Sequence, residues 1–482
     1  MDLHGHGLTV PSLVAFARSG GRVRCLPAAL DEVLRAHRVM TDVGARRPVY
    51  GMTTGVGANR SVPASADGHA LRLLRSHAAG VGPVQADATT RAAMVVRLNQ
   101  LLAGGSGVSP EVVRALALAA GGALPTVHRY GSIGTGDLSA LAEIALTLAG
   151  DRPWRAGSVP AVEFGRTDAL AFISSNALTA SVAALACADL RVLVGAAHVV
   201  AALSFRALRG STQAYAEAVH RSAYAGQQAA AAAMRGLLGG SEPVAASRIQ
   251  DPFGLRALPQ VHGSSLAALE SLERVVTTEV NGAHENPLVV PAQGLVLHHG
   301  QFHTAALAAA LDAARGALHP LLSLSTARLA ALVDPELTGL MAFLAQGPAG
   351  SSGVMVLEYV AHDALAEVRQ VSLPVGIGTA VLSRGLEEHA SFSSQSARAT
   401  AGALTHAPVV LACELLAAVR ALRADPVRVG GGPVAEAFAL ASSRLDADPL
   451  DRPLGADVAA ATAVLPELAL LVGVALGPRD TT

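Results

Sequence analysis

Between Ala177 and Phe205 the chain runs through apolar and small residues, with Asp189 and Arg191 as its only acidic and arginine side chains. A run of that length far exceeds a strand of about five or six residues and fits a helix buried in a large core. Ala and Leu dominate elsewhere too, while aromatic residues make up only 3% of the chain. The expected fold class is therefore mainly α, a bundle of long helices. A membrane span is not expected, because Asp189 and Arg191 interrupt this run, and Pro466 and Glu467 interrupt the apolar run near the C-terminus. No basic segment followed by an apolar core opens the chain, so a cytoplasmic protein is expected.

The pattern divides near residue 195. Residues 1–195 alternate Gly-rich turns with helical stretches, whereas residues 196–482 read as a helical bundle with C-terminal helices, apart from extended segments around Leu288 to Leu297. Arg91 to Ala103 reads as a helix stopped by Gly104-Gly105-Ser106-Gly107, and Ser109-Pro110-Glu111 as the capped start of the next. The glycines of Gly131-Ser132-Ile133-Gly134-Thr135-Gly136-Asp137 fall just before the helical pattern Leu138 to Leu148. Unpaired amides at such a helix start favour negative charge, although a plain turn and cap explains the same residues.

Chemistry is narrowed by what is missing. The sequence contains no Lys, which removes an internal Schiff base with pyridoxal phosphate and the usual phosphate-binding loop. A net charge of −1 gives no excess basic charge for nucleic acid or an anionic membrane, so a small-molecule substrate is expected. Cys25, Cys187 and Cys413 are odd in number and widely spaced, as suits reduced thiols. His298, His299 and His303 invite a metal reading, but although the last two have i, i+4 spacing they lack the accompanying Glu of a zinc-protease helix, so no metal is expected.

Several short segments follow one another in an informative order. They are Tyr50-Gly51-Met52-Thr53-Thr54-Gly55, Ser76-His77-Ala78-Ala79-Gly80, Arg97-Leu98-Asn99, Gly131-Ser132-Ile133-Gly134, Gln250-Asp251-Pro252-Phe253-Gly254-Leu255-Arg256, Pro259-Gln260-Val261-His262-Gly263, Asn286-Pro287, Phe302-His303 and Glu387-Glu388-His389. In this order the chain resembles the aromatic amino acid lyases of the histidine and phenylalanine ammonia-lyase type. That resemblance implies a helical bundle of the fumarase/aspartase-like type, a homotetramer, and active sites built from more than one subunit. It also implies elimination of ammonia from an aromatic amino acid, or migration of its amino group. The resemblance places Tyr50 as catalytic base, His77 and Glu387 in the catalytic pocket, and Arg256 and Gln250 on the substrate. As a base, Tyr50 needs nearby positive charge or hydrogen bonds to lower a phenol pKa that is ordinarily about 10.

The resemblance breaks where the family makes its electrophile. Members cyclise Ala-Ser-Gly and dehydrate the serine to a methylidene-imidazolone, whereas this chain is one residue shorter and reads Gly134-Thr135-Gly136. If Gly134 takes the alanine position, a ring derived from Thr135 would carry an extra methyl on the carbon that accepts the nucleophile. Ser174 stands where the family has Asn, Phe253 where it has Tyr, and Ser222-Ala223-Tyr224 replaces Arg-Pro-His. These changes favour an enzyme without the usual electrophile, in which Tyr50 supports acid–base elimination, isomerisation or cyclisation of a small carboxylate-bearing or conjugated substrate in specialised metabolism. No cofactor is expected on this reading. An ammonia-lyase or aminomutase with a Thr135-derived electrophile is the alternative, and a non-catalytic paralogue or ligand-binding subunit is a third.

Overall fold

The computed structural model describes residues 1–65, 67–240 and 248–476, and helices dominate them, with paired strands of two to four residues. Contacts group the chain into two compact units. The first comprises Met1–Ala188, Leu272–Asp312 and Pro374–Arg398; the second comprises Asp189–Ser271, Ala313–Leu373 and Ala399–Thr482.

In the first unit, α1 (Pro27–Arg46) turns Ala36 and Met40 inward, and Val49 follows in the same buried cluster. The cluster is completed by Val289 and Val296 of a hairpin whose strands are β1 (Leu288–Val290) and β2 (Leu295–Leu297). Its register pairs Val289 with Val296, so alternation sends both side chains to the same face. Arg47 donates to the Val296 carbonyl at 2.8 Å, which fixes the end of α1 to the hairpin. Tyr50 and His298, each just beyond a member of this cluster, are thereby brought together from positions far apart in the chain.

Helix α2 (Asp87–Leu102) is buried along most of its length. Arg97 is fully buried and pairs with Glu285 at 2.8 Å, also donating to the Phe172 carbonyl at 2.8 Å and to Gln100 at 3.1 Å. Asn99 donates to the Val280 carbonyl at 2.9 Å. These bonds replace the water lost by a buried charge and tie α2 to the segments carrying Ser174 and Asn286.

The helix predicted over Leu138 to Leu148 forms with those bounds and is named α3. The restart at Ser109 differs in detail. Pro110–Ala120 is helical, but the Ser109 side chain makes no cap; its backbone amide instead donates to Asp168 at 2.6 Å, because that buried carboxylate competes for the local donors. The extended segment expected around Leu288 to Leu297 is the β1–β2 hairpin.

The second unit takes residues 189–207 of the long helix Ala177–Ala207, together with parts of Leu258–Asn281, Ala305–Val333 and Ser393–Ala424. At its centre Arg328 holds Glu414 through two bonds, at 2.6 and 2.9 Å, with both side chains fully buried. Ser204 adds a bond to Glu414 at 2.6 Å, and Arg328 reaches the Gly254 carbonyl at 3.1 Å. Two charges with this many partners tolerate burial where either alone would not.

Candidate active site

In the first unit a cavity of about 600 Å³ opens beside the turn that carries Tyr50. Its walls gather Tyr50, His77, Thr135, Ser174 and Glu387, five of the residues singled out from the sequence. Asn286, His298, Arg60 and Phe302 join them, with Val56, Leu138, Leu170 and Leu386 as the apolar part of the lining.

The Tyr50 hydroxyl accepts a bond from the Gly57 amide at 2.8 Å. Gly57 has φ +56°, and a Cβ there would lie 2.4 Å from Ser383 Oγ, so a side chain at this position would displace the turn. Burial is the main influence on the phenol and raises its pKa above the ordinary value; the Gly57 amide opposes this, and Glu387 adds to it. The Gly57 amide and the Arg60 charge act in the direction a base requires, but burial outweighs them in this chain, so the resting side chain is a neutral phenol at pH 7.

His77 ends the helix His69–His77 and bonds the Leu73 carbonyl through Nδ1 at 2.8 Å. In the neutral ring that places the proton on Nδ1 and leaves a lone pair on Nε2. Ser174 Oγ accepts the Asn286 amide at 3.0 Å, so the hydroxyl in the family's asparagine position is occupied in positioning Asn286.

The loop before α3 is tightly held. The Gly134 carbonyl accepts from the Ser391 hydroxyl at 2.9 Å and the Thr304 hydroxyl at 3.3 Å, while the Gly136 amide donates to Asn176 Oδ1 at 3.1 Å. Gly134 has φ +85°, and a Cβ built there would meet Ser391 Oγ at 2.0 Å and the Ser393 amide nitrogen at 2.8 Å. Asp137, fully buried at the start of α3, accepts from the backbone and hydroxyl of Thr179 at 2.7 and 2.8 Å. Burial pushes its carboxyl pKa up, partly opposed by these donors. Thr135, between the two glycines, is the loop residue that reaches the cavity wall.

Four predicted substrate residues, Arg256, Gln250, Phe253 and Tyr224, lie in the second unit and do not line this cavity. Arg256 stacks on Phe253, its guanidinium carbon 4.2 Å from the ring centroid, and donates Nε to the Asp251 carbonyl at 2.8 Å. Phe253 and Tyr224 are 64% and 86% exposed, which makes them surface side chains of this chain.

His298, Asn286 and the hydroxyls of Ser391, Ser393 and Thr304 have no role in the sequence reading. His298 was visible there only beside His299, as a metal candidate. His299 has a different use: its Nε2 bonds the Glu285 carbonyl at 2.7 Å and its Nδ1 accepts the Gln301 amide at 3.0 Å, holding the hairpin end. Among the described residues no three His, Cys, Asp or Glu side chains form a metal cluster.

A smaller cavity of about 190 Å³ in the second unit is lined by Arg420, Arg423 and Arg452 with Asp446, Asp448 and Asp457. Arg420 donates to the Pro449 carbonyl, Arg423 to the Leu445 carbonyl at 2.8 Å and Arg452 to Asp457 at 2.8 Å. Those guanidinium groups pin the 445–457 segment, and the cavity has no grouping of acid, base and hydroxyl like that around Tyr50.

Comparison with known proteins adds three findings. The model of the aromatic amino acid lyases matches residues 8–442. The chain is 35% identical to the histidine ammonia-lyase of Symbiobacterium thermophilum, over 100% of this chain and 99% of that protein, and 34% identical to that of Deinococcus radiodurans, over 88% and 86%. Among solved structures, histidine ammonia-lyase from Trypanosoma cruzi matches with a TM-score of 0.90 at 27% identity, over 99% of this chain and 96% of that one.

Proposed function

The chain belongs to the aromatic amino acid lyase family, and on that premise we propose that it eliminates an amine from a small amino-acid-derived carboxylate in the Tyr50 cavity, by acid–base chemistry. The observation that carries this reading is the cavity itself, which gathers a phenol, two imidazoles, a carboxylate and the Thr135 loop residue around one space large enough for such a molecule.

Three features of the loop support a reading without the family's ring. The place of the alanine methyl is taken by Ser391 and Ser393, the serine is absent, and the two peptide groups that would have to join are held by separate hydrogen bonds. Chemistry then rests on the side chains. The Tyr50 phenol enters protonated and can donate to the departing nitrogen, while the apolar walls limit water. Without an added electrophile the reaction is restricted to a substrate with an acidic proton or a good leaving group, since positioned acids and bases contribute about 10²–10⁴-fold.

A second reading is an ammonia-lyase or aminomutase whose electrophile derives from Thr135. The likeness to histidine ammonia-lyases supports it, as does the position of Thr135 on the cavity wall beside a Gly134 carbonyl polarised by two hydroxyls. Intact mass of the purified protein separates the readings. An unmodified chain is expected; loss of two waters, localised by peptide mapping to residues 134–136, would overturn the first reading and establish the second.

A further inference from the structure

Beside the Tyr50 cavity lies a second, open cleft of about 590 Å³ that shares Pro48, Thr54 and Arg60 with it. Arg46, Arg47 and Ser61 belong to the cleft alone, and no acidic side chain among the described residues lines it. Local folding explains why three guanidinium groups meet there. Helix α1 ends at Arg46, and Arg47 leaves it in extended backbone, its side chain bonded to the Val296 carbonyl. Beyond the Tyr50 turn the chain folds back: the Gly55 amide donates to the Val62 carbonyl and the Ala64 amide to that of Thr53, each at 2.9 Å. That closure brings Arg60 and Ser61 to the same cleft as the end of α1. Among the described residues the Arg46 and Arg60 side chains, both exposed, make no hydrogen bond or ion pair. They differ in this from Arg420, Arg423 and Arg452, which are consumed in holding backbone carbonyls and a carboxylate around the smaller cavity.

We infer that this cleft holds a second anionic group of the substrate, so that the molecule processed in the Tyr50 cavity carries a carboxylate or phosphate at its far end. This rests on the reading of the cavity as the site of an amino-acid-derived carboxylate. Guanidinium groups bind either oxyanion through paired N–H donors. A concavity lined by one sign of charge also concentrates a counter-ion, and a bound oxyanion relieves the repulsion among the three cations.

The two spaces are polarised in a way that fixes the direction of the molecule. Glu387 is the carboxylate of the Tyr50 cavity, where it favours the cationic amine and disfavours a second anion. Arg60 stands at the junction, and Arg46 and Arg47 line only the cleft beyond it. A substrate that reaches both spaces is longer than a simple aromatic amino acid, which the cavity of about 600 Å³ accommodates alone. Arg256 is matched by the family resemblance to the carboxylate beside the reacting carbon, which leaves the arginines of the cleft for the distal group.

Calorimetry of the full chain compares cinnamate, 4-carboxycinnamate and 4-phosphonooxycinnamate, which differ only in the distal anion, in wild type, Arg46→Gln and the Arg46→Gln/Arg60→Gln double variant. At low ionic strength both compounds with a distal anion are expected to bind wild type about tenfold more tightly than cinnamate, the combined worth of a couple of exposed ion pairs. That ratio should shrink in the single variant, approach unity in the double variant, and fall with added salt. Distal anions that bind no tighter than cinnamate, or a preference unchanged in the double variant, overturn the assignment. A free oxyanion is the alternative occupant: inorganic phosphate that binds wild type alongside 4-phosphonooxycinnamate without weakening it overturns the assignment too. Turnover of L-phenylalanine, 4-carboxy-L-phenylalanine, O-phospho-L-tyrosine and their N-trimethylated forms separates the two readings. Amine released from none of them, with the affinity preference present, overturns the elimination reading and leaves the cleft assigned. Amine release without any such preference does the reverse.

Discussion

At the scale of single residues, the cavity separates groups by protonation state. Tyr50 is held as a phenol because burial disfavours the anion and Glu387 adds like charge. A phenol acting as acid loses function only as pH rises through its pKa, which here lies above the ordinary 10.0. Activity should therefore show no decline attributable to Tyr50 up to about pH 10, the reference value for the side chain. If Tyr50 were the base, the rate would instead climb tenfold per pH unit across that range. Tyr50→Phe should reduce kcat by about 10²–10⁴-fold while leaving the fold intact and lowering the melting temperature by only about a few degrees, because the substitution costs the Gly57 amide its acceptor but removes almost no packing volume. Full activity in that variant would remove Tyr50 from the mechanism. The order of motifs along the chain is enough to single out Tyr50, His77 and Glu387. His298 was not legible, because its relation to Tyr50 depends on a three-residue strand pairing that carries almost no periodic signal of its own.

At the scale of elements, α2 explains why the site has a fixed shape. Arg97 projects from the helix into a space where Glu285 is its charged partner, and Glu285 is followed directly by Asn286 of the cavity wall. Removing one member of a buried pair leaves the other charge without compensation, at a cost of about 3–5 kcal/mol. Glu285→Ala should lower stability by that amount in urea denaturation and weaken substrate binding as Asn286 and Ser174 shift. A loss under about 1 kcal/mol, the range of exposed pairs, would mean that Arg97 is compensated elsewhere. In the second unit His198 and His262 meet edge-on with centroids 4.6 Å apart, both fully buried, and among the described residues His198 Nε2 and both His262 nitrogens have no hydrogen-bond partner. Burial pushes the His198 pKa down to about 4 and that of His262 well below the ordinary 6.5. The unfolded chain thus binds protons that the folded one refuses, so stability falls as pH drops from about 6.5 toward 4. His262→Leu should flatten that fall, seen as a smaller difference between urea midpoints at pH 7 and pH 5. An equal pH dependence in both proteins would assign the acid lability to other groups. Long helices such as Ala177–Ala207 and α3 were readable from composition and periodicity, whereas the Arg97–Glu285 link joins residues 188 positions apart and no local pattern announces it.

At the scale of the whole molecule, the arginine that the family resemblance matches to a substrate carboxylate, Arg256, does not line the Tyr50 cavity of its own chain, where Arg60 is the guanidinium on the wall. Arg256, the residue matched to that task, belongs to the second unit, where Phe253 orients it from one face and Asp251 takes its Nε–H. Its planar group is suited to a carboxylate, yet it does not line the Tyr50 cavity. Ile249, Phe253 and Tyr224 are 100%, 64% and 86% exposed, an unfavourable arrangement for large apolar side chains on a surface that meets only water. We propose that a symmetric homotetramer, as the family resemblance implies, would account for both points by presenting Arg256 of one subunit to the Tyr50 cavity of another. Inactive Tyr50→Phe and Arg256→Ala subunits should then restore activity when co-expressed and assembled together, because some mixed sites receive Tyr50 from one chain and Arg256 from the other. Random assembly gives about one quarter of sites with both groups, by the statistics of a closed symmetric oligomer. Mixed assemblies, verified by mass and purified through two tags, should recover activity of that order while each parent stays inactive. Recovery confined to zero, with assembly demonstrated, would place both groups in the same subunit's site or remove Arg256 from it.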